Sequence, residues 1–274
     1  MALKSSDVLT EEAVRDRVEE IATPNQMFRA IYRPLDATGI DSDNIKVPKP
    51  TDTLGDPEAI AEGAEFPRDK EGYVKIPIDF QKYGFETPIT QEAMDDSMID
   101  IAADHVDRQA RRMAEFMNEV AFYELSGNYH EGGAVGAVNE NGKLDYFDVK
   151  EGVSVLRSDL FNPDLFITNV EGEKDLATSD EFLKANELGG TTVREGVVGR
   201  VAGMDVMVSN AGHMSTEEGE GYLVDTTYYG YEATRIPVST NQYNAPERQA
   251  EMLQIWTRKG WKAIEPNAAV KVVG

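Results

Sequence analysis

The sequence predicts an α+β fold whose strands are mostly antiparallel. Three observations predict it. Apolar residues alternate over GYVKIPIDF, with Val74, Ile76, Ile78 and Phe80 on one side, the period of a strand with one polar face. An apolar stripe at three- and four-residue spacing runs from Met94 to Leu125, the period of a helix face. Beyond Asn162, short apolar runs bounded by Gly, Pro, Asn and Asp follow one another, with a helical stretch after the first.

Each element can be placed in order. Residues 7–22 read as a short amphipathic helix, with Val8, Leu9, Ala13, Val14, Val18 and Ile21 at helical spacing and Pro24 as the stop. Residues 45–67 hold four prolines and two glycines with few large apolar residues, too few to build a core of their own. That stretch reads as a long excursion, disordered or pinned by a partner. With the alternating strand that follows, residues 49–88 read as a two-stranded arm projecting from a body. Thr90 suits an N-cap and Gln91 and Glu92 a first turn. The stripe Met94, Met98, Ile101, Val106, Ala110, Met113, Met117 and Val120 then carries a helix over 90–125. Its 36 residues would span on the order of 50 Å, longer than a small domain, so part of it must brace subdomains or border a neighbour.

The glycine-rich connector 127–143 follows a helix and has no Gly-Lys-Ser/Thr, so it is a loop rather than a phosphate cradle. Leu165–Thr168 reads as a buried strand leading into a helix. GRVAGMDVMVSN reads as a strand with its glycine turn, and GYLVDTTYYGYEATRIPVS as a strand pair. AEMLQIWTRKGWKAIEPNAAVKVVG supplies two more strands.

Composition bounds the function. The 274 residues, 41% of them hydrophobic, suffice for one large domain or two modest ones. No apolar run approaches the roughly eighteen residues of a membrane span. The first twenty residues lack a hydrophobic signal core, which points to assembly in a cytoplasm. The absence of cysteine excludes disulfides, thiolate chemistry and cysteine-ligated metal. Fifty acids against 27 bases give a net charge of −23. That disfavours bare duplex nucleic acid as a direct ligand and suits a very salty solvent, where self-repulsion is screened. Residues 1–33 carry six acids and five bases, and residues 248–274 five bases and two acids, so the acid load sits mid-chain.

No catalytic constellation emerges. His105, His130 and His213 are isolated, and VSNAGH lacks a nucleophile elbow. Asp95 and Asp96 diverge on a helix and suit its N-terminus better than paired acid–base work. MDDSMID lacks calcium-loop spacing.

The order of parts resembles the HK97-type major capsid proteins of tailed viruses. The resemblance is carried by FQKYGFETPITQEAMDDSMID (80–100), like that family's passage from extended loop to spine helix, and by NPDLFITN (162–169), like the strand opening its axial domain. It continues in VAGMDVMVSN (201–210), with Asp205 where proline is usual, and in the closing segment 229–273. It implies an HK97-like fold with an N-terminal arm over 1–48, an extended loop over 49–88 and a peripheral domain over 89–155 containing the spine helix 90–125. An axial domain over 156–231, a peripheral return over 232–258 and a closing strand within 259–274, packed on the axial domain, complete it.

It further implies a structural, non-enzymatic role. Hexamers and pentamers of the chain would form an icosahedral shell around double-stranded DNA held without sequence specificity, with portal and scaffold or decoration proteins as partners and no membrane. Glu62, Glu65, Arg68, Lys70 and Glu71 are the expected intersubunit contacts, and Arg15 and Arg17 the interior-facing arm residues. No cofactor is implied, although divalent cations could bridge facing carboxylates. The acidity points to a virus of haloarchaea. Some relatives join a loop lysine to a neighbour's asparagine with a glutamate assisting. Lys70, Lys75 and Lys82 lie in the right region, with Asn241, Asn244 and Glu251 elsewhere, but no matching trio stands out. No large prosegment is expected. An encapsulin-like nanocompartment, and a soluble halophilic enzyme or binding protein, are the alternative readings.

Overall fold

The computed structural model describes residues 27–51, 72–90, 101–136, 143–179, 199–209 and 218–274, together with 16, 18, 20, 59, 60, 62, 65, 66 and 214. Among these residues two sheets form a body and a third forms an arm. The four-stranded sheet has the order β1-β10-β11-β4, from Arg33–Asp36, Gly230–Ala245, Ala250–Ala263 and Gln81–Thr90. The six-stranded sheet has the order β5-β12-β9-β6-β8-β7, from Val135–Gly136, Ala269–Val273, Glu220–Val224, Leu165–Asn169, Met204–Ser209 and Arg200–Val201. The arm is the antiparallel pair β2 (Asn44–Thr51) and β3 (Gly72–Asp79). The predicted α+β class holds, and antiparallel pairings outnumber the parallel β1–β10, β5–β12 and β6–β8.

Helix α1 (Ile101–Gly127) packs on β11, and its stripe is the predicted one: Val106, Ala110, Met113 and Met117 are all buried. Its 27 residues span about 40 Å. Thr90 was expected to cap the long helix, and the first turn it would cap, within residues 91–100, lies outside the described residues. Thr90 ends β4, opposite Ala250. Helix α2 (Tyr146–Ser158) opens on a capping box between Asp145 and Asp148 and lies over β9 and β12. Helix α3 (Val170–Thr178) follows β6 directly, with Asn169 as its cap. All five residues of β6 are buried, as its continuous apolar run requires. The β7–β8 hairpin turns at Ala202 (φ 53°) and Gly203 (φ 92°), the positive dihedrals that a two-residue turn between twisted strands needs.

Several boundaries differ from expectation. The arm covers 44–79 rather than 49–88, because β4 pairs with β11 inside the body. Nor is the stretch that begins at residue 45 without structure at its start, since 45–51 belong to β2. The expected strand pair in 221–239 is two strands of different sheets: the chain crosses between sheets at 225–229 and returns at 264–268. The crossings brace each other, since the amides of Ile264 and Glu265 donate to the Tyr229 carbonyl at 2.8 and 3.0 Å, and Asp225 N–H donates to Ala268 O at 2.9 Å. The break between sheets therefore falls after Ala263 rather than at 258, and before Gly230 rather than at 231. Of the predicted first helix, the described residues Asp16, Val18 and Glu20 are helical. Val18 is fully buried in the main core, which joins α1 to both sheets.

Candidate functional site

The arm has no core of its own, so its construction shows what it can contact. The Phe80 amide donates to Asp43 O at 3.0 Å, which makes the rung below Asn44–Asp79 a hydrogen-bonded one. Rungs alternate in an antiparallel pair, so Lys46–Pro77, Pro48–Lys75 and Pro50–Tyr73 are the non-hydrogen-bonded rungs, whose N–H groups point out of the ribbon. All three prolines thus stand where they remove no ladder bond and instead erase outward donors. They blunt the ribbon's edges against strand addition.

The same alternation gives the ribbon two faces. Ile45, Val47, Lys49, Ile76 and Ile78 share one. Ile78 is fully buried, and Ile45 and Val47 pack with it against Ala37, Phe80 and Ala233 of the body. Lys46, Pro48, Pro50, Tyr73, Lys75 and Pro77 share the other, and all six are exposed.

The root of the arm is tied to the body by charge and by close approach. Asp43 receives Arg258 at 2.9 Å and Arg235 at 3.4 Å. Farther out, Lys49 Nζ lies 2.6 Å from Glu265 Oε2. Gly260 of β11 passes so near the arm that a Cβ there would stand 2.3 Å from the Asp79 carbonyl oxygen.

Toward the tip, Glu62 and Glu65 are exposed, and Phe66 beside them is 77% exposed. Arg68, Lys70 and Glu71 lie outside the described residues, as do Arg15 and Arg17. The segment after the first helix is fastened to α1: Phe28 N–H donates to Asn118 Oδ1 at 3.3 Å and Tyr32 Oη to Ala121 O at 2.8 Å. Burial pushes the Tyr32 phenol well above its ordinary range, which keeps it a donor. Beneath it, Lys259 Nζ and Glu232 Oε1 form a buried ion pair at 2.6 Å, with Arg29 Nε at 3.9 Å from the second oxygen.

Between α1 and the arm's root, Tyr83, Phe116, Tyr123 and Trp261 line an open groove of about 540 Å³. Of the residues weighed for catalysis, His130 joins Asp159 at 3.0 Å and accepts the Gly132 amide at 2.9 Å, a brace between the loop after α1 and the end of α2. His105 has no partner among the described residues, and His213, Asp95 and Asp96 lie outside them. Among the described residues no three carboxylates or imidazoles converge to hold a metal ion, and no helix is long and apolar enough to cross a membrane.

Two sheets braced at their crossings, one long helix and a projecting ribbon make this the HK97-like capsid fold. Three solved structures show the likeness. The capsid of cyanophage P-SCSP1u matches with a TM-score of 0.71 at 12% identity, over 90% of this chain and 88% of that one. Mycobacterium phage Che8 matches at 0.69 and 12%, over 99% and 94%. The SrpI encapsulin of Synechococcus elongatus PCC 7942 matches at 0.61 and 10%, over 100% and 91%. No curated protein matches the chain in sequence. The phage capsid protein family matches over residues 73–272, and the chain belongs to that family.

Proposed function

We propose that this chain is the major subunit of a tailed virus's shell, closing as hexamers and pentamers into an icosahedron around double-stranded DNA. The observation that carries the reading is the family match across the body together with an arm that has one exposed face. The role is structural and non-enzymatic, and the shell is completed in the host cytoplasm with a portal and separate scaffold or decoration proteins. Glu62, Glu65, Arg68, Lys70 and Glu71 meet neighbouring copies, and Arg15 and Arg17 face the interior. The match to the phage capsid protein family favours this reading over an encapsulin-like compartment.

A net charge of −23 on every copy makes assembly salt-dependent and fits a host with a salty cytoplasm, such as a haloarchaeon. At 0.01 M salt the Debye length is about 30 Å, so repulsion spans whole subunits, against about 3 Å at 1 M. Divalent cations would bridge carboxylates from two copies. Chain purified in molar NaCl should scatter light as closed particles, carry a nucleic-acid ultraviolet absorbance in virions, and fall apart on dialysis into dilute buffer. A chain that stays monomeric in high salt would defeat the reading. Particles filled with a protein cargo would favour the encapsulin alternative.

The subunits should remain separable. Lys82 Nζ sits 4.5 Å above the Trp256 ring and Asn241 Nδ2 donates to Gln254 at 3.3 Å, so both groups are engaged within their own sheet. Boiled particles are expected to run as single chains on a denaturing gel, and a ladder of covalent oligomers would refute this.

A further inference from the structure

We propose that helix α1 packs antiparallel against α1 of a second copy, through a face whose charges complement one another. The proposal rests on the shell reading, in which the contact joins two subunits about a two-fold axis. Two observations converge on it. On the solvent side of α1, Arg108, Arg111 and Arg112 occupy the N-terminal half. Glu115, Phe116, Glu119 and Tyr123 occupy the C-terminal half, and all seven side chains are exposed. Apart from Arg108, held by Asp104 at 2.8 Å, these charges form no ion pair among the described residues. Arginine four residues ahead of glutamate, as in Arg111 and Glu115, is the weaker order for pairing within a helix, so these charges are left for a partner.

Second, the order of the charges fixes a register. With the two-fold axis between Met113 and Ala114, Arg108 of each copy lies level with Glu119 of the other, and Arg112 with Glu115. Arg111 meets Phe116, and a guanidinium suits an aromatic face as well as a carboxylate. Tyr123 meets Asp104, a carboxylate its hydroxyl can donate to. Slipping one turn one way sets Arg111 beside Arg112 and Asp104 beside Glu119. Slipping one turn the other way moves Glu115 off Arg112 and onto Phe116. A parallel pair in register would set like charge on like. The seam from Asp104 to Tyr123 is about 30 Å long. Phe116, 40% exposed and edge-on to Tyr83 at 5.3 Å, and Tyr123, 78% exposed, supply its apolar area. On a chain of net charge −23, arginines set against carboxylates offset the repulsion between two copies and select the register.

The test is charge exchange in the full chain. Arg108→Glu/Arg112→Glu makes the face wholly acidic, and Glu115→Arg/Glu119→Arg makes it wholly basic. All four side chains are exposed, so both melting temperatures should stay within a few degrees of wild type. At moderate salt the threshold concentration for particle formation, read by light scattering, should rise about tenfold or more for each variant alone. An equal mixture of the two should return to the wild-type threshold, since each acidic face then meets a basic one. Independently, the chain has no cysteine, so Glu115→Cys supplies a single thiol. A short bismaleimide should join that thiol to its counterpart in a second copy, giving dimers on a denaturing gel.

If wild type assembles and neither variant shifts the threshold, the helix pairing is refuted while the shell reading stands. Variants that each fail and are not rescued by mixing would refute it too, because the face would then meet some other surface. A wild-type chain that forms no particles overturns the shell reading, and the cross-link in the free chain then decides the pairing: dimers uphold it and monomers end it.

Discussion

Replacing Lys259 by methionine should lower folding stability by about 3–5 kcal/mol, the range for removing one partner of a buried ion pair. Lys259 and Glu232 are both nearly inaccessible and 2.6 Å apart, on neighbouring strands β11 and β10. With the ammonium gone, Glu232 keeps its charge in the interior, and Arg29 at 3.9 Å, itself half in solvent, replaces little of the lost attraction. For a chain of this size the melting point should fall by roughly 10 °C. The double variant Glu232→Leu/Lys259→Met should recover most of the loss, because an apolar pair of similar volume needs no solvation. Thermal melts of the two variants decide it. If the single variant melts like wild type, the pair is not holding the sheet. If the double variant melts lower than the single, packing rather than charge is what the site requires.

Gly260→Ala should be the second large effect, about 3 kcal/mol, at the upper end of the usual overpacking range. The new methyl would meet a backbone oxygen at 2.3 Å and Ile78 Cγ2 at 3.0 Å, neither of which can swing aside as a flexible side-chain tip could. The strand itself or the arm's root has to move. Limited proteolysis should therefore speed up within 44–79 before the body unfolds, and particle formation should fail at concentrations where wild type assembles. Gly127→Ala is the control. Nothing lies within 4 Å of a Cβ there, and its stability should stay within about 0.5 kcal/mol of wild type. Equal proteolysis of the two variants would show that the close approach is not what fixes the arm.

The sequence made legible what periodicity records. The α1 stripe and the buried run of β6 follow from spacing alone, since each has one face or both faces in the core. Alternation also located β3 and β4 but not their partners. Its phase slips by one residue between Phe80 and Tyr83, as the chain leaves the arm and enters the four-stranded sheet, but a slip does not say which strand lies alongside. Which strand lies alongside is set by residues far away, β4 by β11 and β1 by β10, and no local pattern carries that. β1 itself, with the sequence RPLD, has no alternation to detect.

The arm was legible in part. Glu62 and Glu65 stand out as charges on a coreless stretch, and they are exposed. The start of β2 was missed, because the arm's prolines read as breakers of structure. Their spacing held the signal: Pro48 and Pro50 are two apart, the period of one strand face, and that parity is what lets a strand keep them. The Lys259–Glu232 pair was missed for a different reason. Charged residues in a strand read as its solvent side, and only the register of β10 on β11 shows that these two meet inside.

The strand order also sets a timetable for synthesis. Arg33 pairs with Tyr231 and Thr90 with Ala250, so β1 and β4 gain a place in a sheet only after β10 and β11 have left the ribosome. The other sheet waits on β12, which fills the position between β5 and β9. Contacts this distant along the chain fold slowly, since loop closure comes before any reward. Until then the nascent chain has a ribbon but no body to hold its inner face, and no finished surface for a second copy to grip. Association is thereby deferred to completed chains, a sequence of events imposed by topology.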